Sequence, residues 1–138
     1  MRIVLDANRF FSALLKDGPT RKAIYETRAD LFAPLFLKDE LARHRGELVR
    51  RSRMSDKDFA RLVDEIASQV TWVPDGVLRP HLAKAKQAMG KVDIDDVPYL
   101  ACALAVHADA IWSHDLDFDK QALVPRVAHP DARTRRGL

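Results

Sequence analysis

A single cysteine in 138 residues removes two kinds of chemistry at once. Cys102 has no partner for a disulfide and cannot build a cysteine-based metal site; within an apolar segment it reads as a small buried hydrophobe. Long hydrophobic runs are missing too. None approaches the roughly 20 apolar residues of a membrane span, and the chain runs straight into a strand-like Ile3-Val4-Leu5 without a signal-peptide pattern. A cytoplasmic protein with no membrane partner is therefore expected. Internal repeats, low-complexity segments and domain linkers are absent. The length suits one domain, expected over residues 1–130, with a basic, flexible tail over 131–138 that carries Arg133, Arg135 and Arg136.

What is present is ordinary in amount and unusual in placement. A hydrophobic fraction of 47% and a charged fraction of 31% describe a globular protein able to bury a real core. The net charge of +3 is only mildly basic, but holding four acids in one pocket would leave +7 on the remaining surface. That balance suits a polyanion.

The most informative stretch runs from Asp93 to Asp117. Acids Asp93, Asp95 and Asp96 open it, an Ala- and Leu-rich segment from Val97 to Val106 reads as a helix buried on most sides, and Ala110–Trp112 reads as a central parallel strand followed by Ser113, Asp115 and Asp117. Pro98 is tolerated in the helix's first turn, where its missing N–H would be unpaired anyway.

Upstream, Arg2–Leu5 is a buried strand ending at Asp6, and Phe10–Leu15 a helix stopped by Gly18-Pro19. A second helix is expected over Thr20–Arg28 and a strand over Leu31–Ala33, broken by Pro34. The next helix starts near Leu37, with Glu40 in its first turn. An acid there also suits the helix dipole, so Glu40 alone is weak evidence of function. The far side of this helix carries Arg43, Arg45, Arg50, Arg51 and Arg53, either a solvated face or a phosphate-contacting one. Ser55 and Asp58 cap a helix whose core seam runs Phe59, Leu62, Val63, Ile66 and Val70. A strand at Thr71–Val73, a Pro74-Asp75-Gly76 turn, a helix over Leu82–Met89 ended by Gly90, and an edge strand at Leu123-Val124 or Arg126–Ala128 complete the chain.

Strands alternating with helices imply an α/β fold, a three-layer α/β/α sandwich around a mainly parallel sheet of four or five strands. In such folds the site lies at the carboxyl ends of the strands where strand order reverses. Asp6, Glu40, Asp96 and Asp115 all fall at that end. Carboxylates packed together repel, and a bound cation is one remedy. Oxygen ligands without His or Cys suit Mg²⁺ or Mn²⁺. Such ions polarise a phosphodiester and activate water, so metal-dependent hydrolysis of a nucleic-acid backbone is the reaction this set suits. Asp93 and Asp95 compete with Asp96 for the ion, and Asp39 and Glu47 compete with Glu40. His114, between Ser113 and Asp115, reads as structural or substrate-contacting rather than as a general base.

I-V-L-D-A-N at the start, the acidic helix start Asp39-Glu40, D-I-D-D-V-P-Y-L-A-C-A-L-A and I-W-S-H-D-L-D-F follow one another in order. Over residues 1–119 the sequence resembles the PIN-domain ribonucleases, the family that includes the VapC toxins of toxin–antitoxin systems. The resemblance implies an endoribonuclease whose catalytic and metal-binding acids are Asp6, Glu40, Asp96 and Asp115. It places Asn8 as an orienting group, Ser113 where the family has Thr or Ser, and Asp117 as an outer contact, with Asp93 as a further supporting acid. It also implies an RNA substrate, a homodimer and, for a toxin, a small antitoxin partner. A stand-alone RNA-processing nuclease and a non-catalytic PIN-fold binding module are the alternatives. A phospho-accepting receiver domain is disfavoured, because Asp6 lacks an adjacent acid and the third strand ends in Val73-Pro74. A haloacid-dehalogenase-like phosphatase would need an acid where Asn8 stands.

Overall fold

A computed structural model of the chain describes residues 1–89, 91 and 93–132. Its five strands are β1 (Arg2–Leu5), β2 (Asp30–Pro34), β3 (Val70–Val73), β4 (Ala110–Trp112) and β5 (Arg126–Val127), all parallel and ordered β3-β2-β1-β4-β5. The central strand is the first one made. Ile3, Val4 and Leu5 of β1 and Ala110, Ile111 and Trp112 of β4 are buried, as expected for a parallel sheet covered on both faces.

The helices that link the strands are α1 (Ala7–Leu15), α2 (Pro19–Glu26), α3 (Phe36–Ser52), α4 (Asp56–Ala67), α5 (Asp75–Leu78), α6 (Leu82–Met89) and α7 (Val97–Ala105). Helices α1 to α4 pack on one another, while α7 packs on β1, β2 and β4 with α5 and α6 beside it. Right-handed crossovers put the first group on one face of the sheet and the second on the other. The result is the three-layer α/β/α sandwich expected from the alternation of strands and helices.

Local chemistry explains most boundaries. Pro19 occupies the first position of α2, and the Ser55 hydroxyl caps α4 by accepting from Asp58 N–H at 3.1 Å. The structure differs from the sequence pattern in three places. The expected turn at Pro74-Asp75-Gly76 instead opens α5, because extended Pro74 (φ −71°, ψ 156°) caps the helix and Asp75 meets its positive end. Val70 leaves the α4 seam to begin β3. Arg45 is not on the free basic face: its guanidinium sits 5.1 Å above the Phe59 ring, between α3 and α4. Of the two edge strands expected, the one that forms lies within Arg126–Ala128, at Arg126–Val127, since the Gln121 carboxamide already satisfies the N–H groups of Leu123 (2.9 Å) and Val124 (3.0 Å).

The segment expected to start a flexible tail is tied down where it is described. Asp131 accepts a hydrogen bond from the Thr27 hydroxyl, and Ala132 packs against the core. Arg133, Arg135, Arg136 and Gly90 lie outside the described residues.

Gly46 sits within α3, where an added Cβ would meet nothing within 4 Å. Gly46→Ala should therefore stabilise the protein by about 0.5–1 kcal/mol, read as a higher midpoint in urea at unchanged slope.

Candidate active site

In chain order β1 leads to β2 and β3 on one side of the sheet, whereas β4 leads to β5 on the other. The strand order reverses between β1 and β4, and a crevice opens at their carboxyl ends. Leu5 pairs with Trp112 there, so Asp6 and Ser113 emerge side by side. The Asp6 N–H donates to the Trp112 carbonyl at 3.2 Å.

Asp6 has two structural duties. Its Oδ1 caps α1 by accepting from the Arg9 N–H at 3.0 Å, and its Oδ2 accepts from the Ser113 hydroxyl. That hydroxyl in turn accepts from the Asp115 N–H at 2.9 Å, joining both strand ends into one network. With Asp6 only 6% exposed, burial raises its pKa above the usual carboxylate value and the Asp115 charge adds to the rise, while the Ser113 and Arg9 contacts oppose it.

Asp115 and Asp93 each spend one oxygen on a local turn. Asp115 Oδ1 accepts from Asp117 N–H at 2.9 Å, and Asp93 Oδ1 accepts from Asp95 N–H at 2.9 Å. Asp96 is different. It stands where a single turn of 3₁₀ helix (Ile94–Asp96) passes into α7, makes no capping bond, and its Oδ2 is buried without a hydrogen-bond partner. Burial, followed by the charges of Asp93, Asp115, Asp6 and Asp117, pushes its pKa up to about 7. A solitary carboxylate oxygen amid four other acids is a poor structural device and a good cation ligand.

Carboxylate oxygens of Asp96, Asp115 and Asp117 lie within 4.8 Å of one another, all three residues half-buried. Oxygens each about 2.0–2.6 Å from one ion can be separated by that much, so the trio fits a single hard divalent cation. Asp117 also holds Lys120 Nζ at 3.0 Å. Glu40 stands apart from this trio. It is half-buried on α3, its Oε1 accepts from the Tyr99 hydroxyl, and burial raises its pKa while Tyr99 and Arg43 oppose the rise.

The remaining sequence candidates fall around this centre. Asn8 is exposed in the first turn of α1, Asp39 and Glu47 are exposed on α3, and Asp95 acts on Glu40 through its charge. His114 is exposed, with Nε2 3.3 Å from the Ala128 carbonyl, a contact toward the segment after β5. Arg43, Arg50, Arg51 and Arg53 are all exposed. Arg50 and Arg51 lie about 15 Å or more from Glu40 along α3, and Arg53 caps its carboxyl end.

The family model described as PIN domain matches residues 4–126. The chain belongs to the PIN-domain family. No individual curated protein matches it. The matched span runs from within β1 to the start of β5 and takes in Asp6, Glu40, Asp96, Asp115 and Asp117. PIN domains are usually nucleases that use divalent metals, and the acidic trio is compatible with that chemistry.

Two residues of this PIN domain's site went unread in the sequence. Arg126 forks onto Asp119 at 3.0 and 3.2 Å and donates to the Ser113 carbonyl at 3.1 Å, bracing the loop that carries Asp115 and Asp117. Tyr99 does signal itself weakly, since a phenol in an otherwise aliphatic buried helix needs a partner for its hydroxyl.

The raised pKa of Asp96 has a consequence for stability. Between the usual carboxylate value and about 7, metal-free folded Asp96 keeps a proton that the unfolded chain has released, so stability falls as pH rises through that window. Burial of Asp6 and Glu40 acts in the same direction. With chelator at pH 8, Asp96→Asn should therefore be more stable than wild type by about 1 kcal/mol, allowing for solvent screening of a half-buried group. Denaturant titrations should show the gap narrowing toward pH 4, and added Mn²⁺ reversing the order at pH 8.

Proposed function

We propose that the protein is a divalent-metal-dependent endoribonuclease that hydrolyses phosphodiester bonds of RNA. The observation carrying this reading is the partnerless Oδ2 of Asp96, buried beside Asp115 and Asp117 at the strand-order reversal of a PIN domain. Asp96, Asp115 and Asp117 would hold a Mg²⁺ or Mn²⁺ ion, with Asp6 and Glu40 adding negative charge. Such an ion supplies Lewis-acid polarisation of the scissile phosphate and activation of a water.

The chain's own groups do the rest. Ser113 orients Asp6 and, through the Asp115 N–H, the loop bearing two of the candidate ligands. Asp96 releases its proton near neutral pH, which couples ion capture to pH. Exposed Arg43, Arg50 and Arg51 on α3 and Arg53 at its end offer cations for the phosphates flanking the cleaved bond. A toxin restrained by a small antitoxin and a stand-alone RNA-processing enzyme would share this site and differ in partner. Homodimerisation is a further expectation from family resemblance.

Cleavage of fluorescent single-stranded RNA tests the reading. Activity should need Mg²⁺ or Mn²⁺, vanish with chelator, and fall at least about 100-fold in Asp6→Asn, Asp96→Asn and Asp115→Asn. Metal-dependent cleavage that survives these substitutions would defeat it. The basic face has its own signature: Arg50→Ala and Arg51→Ala should weaken binding similarly across RNA sequences. Each should also reduce the slope of log K against log salt by about 0.7.

A further inference from the structure

Glu40 and Tyr99 stand on opposite helical layers, α3 with α1 and α4 on one face of the sheet and α7 on the other. The Tyr99 hydroxyl donates to Glu40 Oε1 across the carboxyl edge of the sheet between them. The ring is fixed by packing: Tyr99 is 2% exposed, and it meets Phe36 edge-on with centroids 6.2 Å apart. The Arg43 guanidinium lies 5.7 Å from the Phe36 ring centre. The charges of Glu40, Asp6 and Asp96 all act on the phenol. Burial and those charges keep it protonated, hence a donor, throughout the working pH range.

We propose that Tyr99 is a positioning residue of the nuclease site. It pins Glu40 Oε1 and leaves Oε2 as the one Glu40 oxygen free to face the attacking water. The inference rests on the nuclease reading above. A carboxylate has two oxygens and one rotatable bond to set their plane, so one fixed hydrogen bond decides which oxygen faces the crevice. Without it Glu40 keeps its charge and loses its aim, and the chemical step suffers more than substrate binding.

Tyr99→Phe keeps the ring and its Phe36 contact while deleting the hydroxyl. Its kcat should fall about 10-fold, with KM for single-stranded RNA and calorimetric Mn²⁺ affinity each within about twofold of wild type. In Tyr99→Phe/Glu40→Gln, kcat should be no lower than in Glu40→Gln alone, because both changes act through one group. The metal-free proteins give a readout independent of activity. The two single changes should shift the melting temperature by amounts that do not add in the double variant. Unchanged kcat in Tyr99→Phe, losses that multiply, additive melting shifts, or a drop in Mn²⁺ affinity as large as the drop in rate would each overturn the proposal. Should wild type cleave no RNA, the nuclease reading fails, and the melting shifts still report whether Tyr99 holds Glu40.

Discussion

Mutual repulsion among carboxylates at one edge of the sheet is the constraint on which the rest of this structure depends. Asp6, Asp96 and Asp115 act on one another through their charges, and the first two are pushed toward protonation chiefly by burial. A fold that needed only a core would not gather them, since each buried charge lacking a partner costs several times what a hydrogen bond returns. Partial remedies are visible around the edge. Ser113 takes one oxygen of Asp6, local N–H groups occupy Asp93 and Asp115, Lys120 pairs with Asp117, and Tyr99 holds Glu40. Asp96 Oδ2 receives none.

The architecture makes this gathering possible by placing the first strand in the centre. Because β1 is flanked by β2 and β4, the residue after Leu5 faces the chain reversal directly, and Asp6 is held there by an α1 cap as well as by β4. The α7 helix brings Asp96 to the same edge on one face, and α3 brings Glu40 on the other. Arg126, itself on β5, braces the Asp115–Asp117 loop through Asp119 and the Ser113 carbonyl. The acids are thus delivered by the end of β1, by α7, by α3 and by one braced loop after β4, an arrangement that holds site geometry more tightly than a single flexible loop would.

Much of this was legible in the residues. The aliphatic run ending at Asp6, the Ala- and Leu-rich helix behind Asp96, and the short strand before Ser113 gave the layer order and the edge where the acids lie, because burial on both sheet faces leaves an unmistakable apolar signature. Less legible was whatever depends on partners distant in sequence. Glu40 carries the same acidic label as Asp96, and nothing local says that Tyr99, 59 residues away, holds it to one side. Arg45 reads as one more surface cation until α4 folds back and sets Phe59 beneath it. Asp117 looks peripheral until the 3₁₀ turn over Leu116–Lys120 brings its carboxylate back toward Asp96. The Asp75 helix was hidden for the opposite reason: Pro-Asp-Gly is as good a helix opening as it is a turn.

The central claim is that the crowded carboxylates are organised for a cation held by Asp96, Asp115 and Asp117. Anomalous diffraction from crystals grown with Mn²⁺ at pH 8 tests it without reference to activity or substrate. The account predicts a peak about 2.0–2.6 Å from Asp96 Oδ2 and from a carboxylate oxygen each of Asp115 and Asp117. A peak elsewhere, or well-ordered crystals with no peak between these three residues at saturating Mn²⁺, would contradict it.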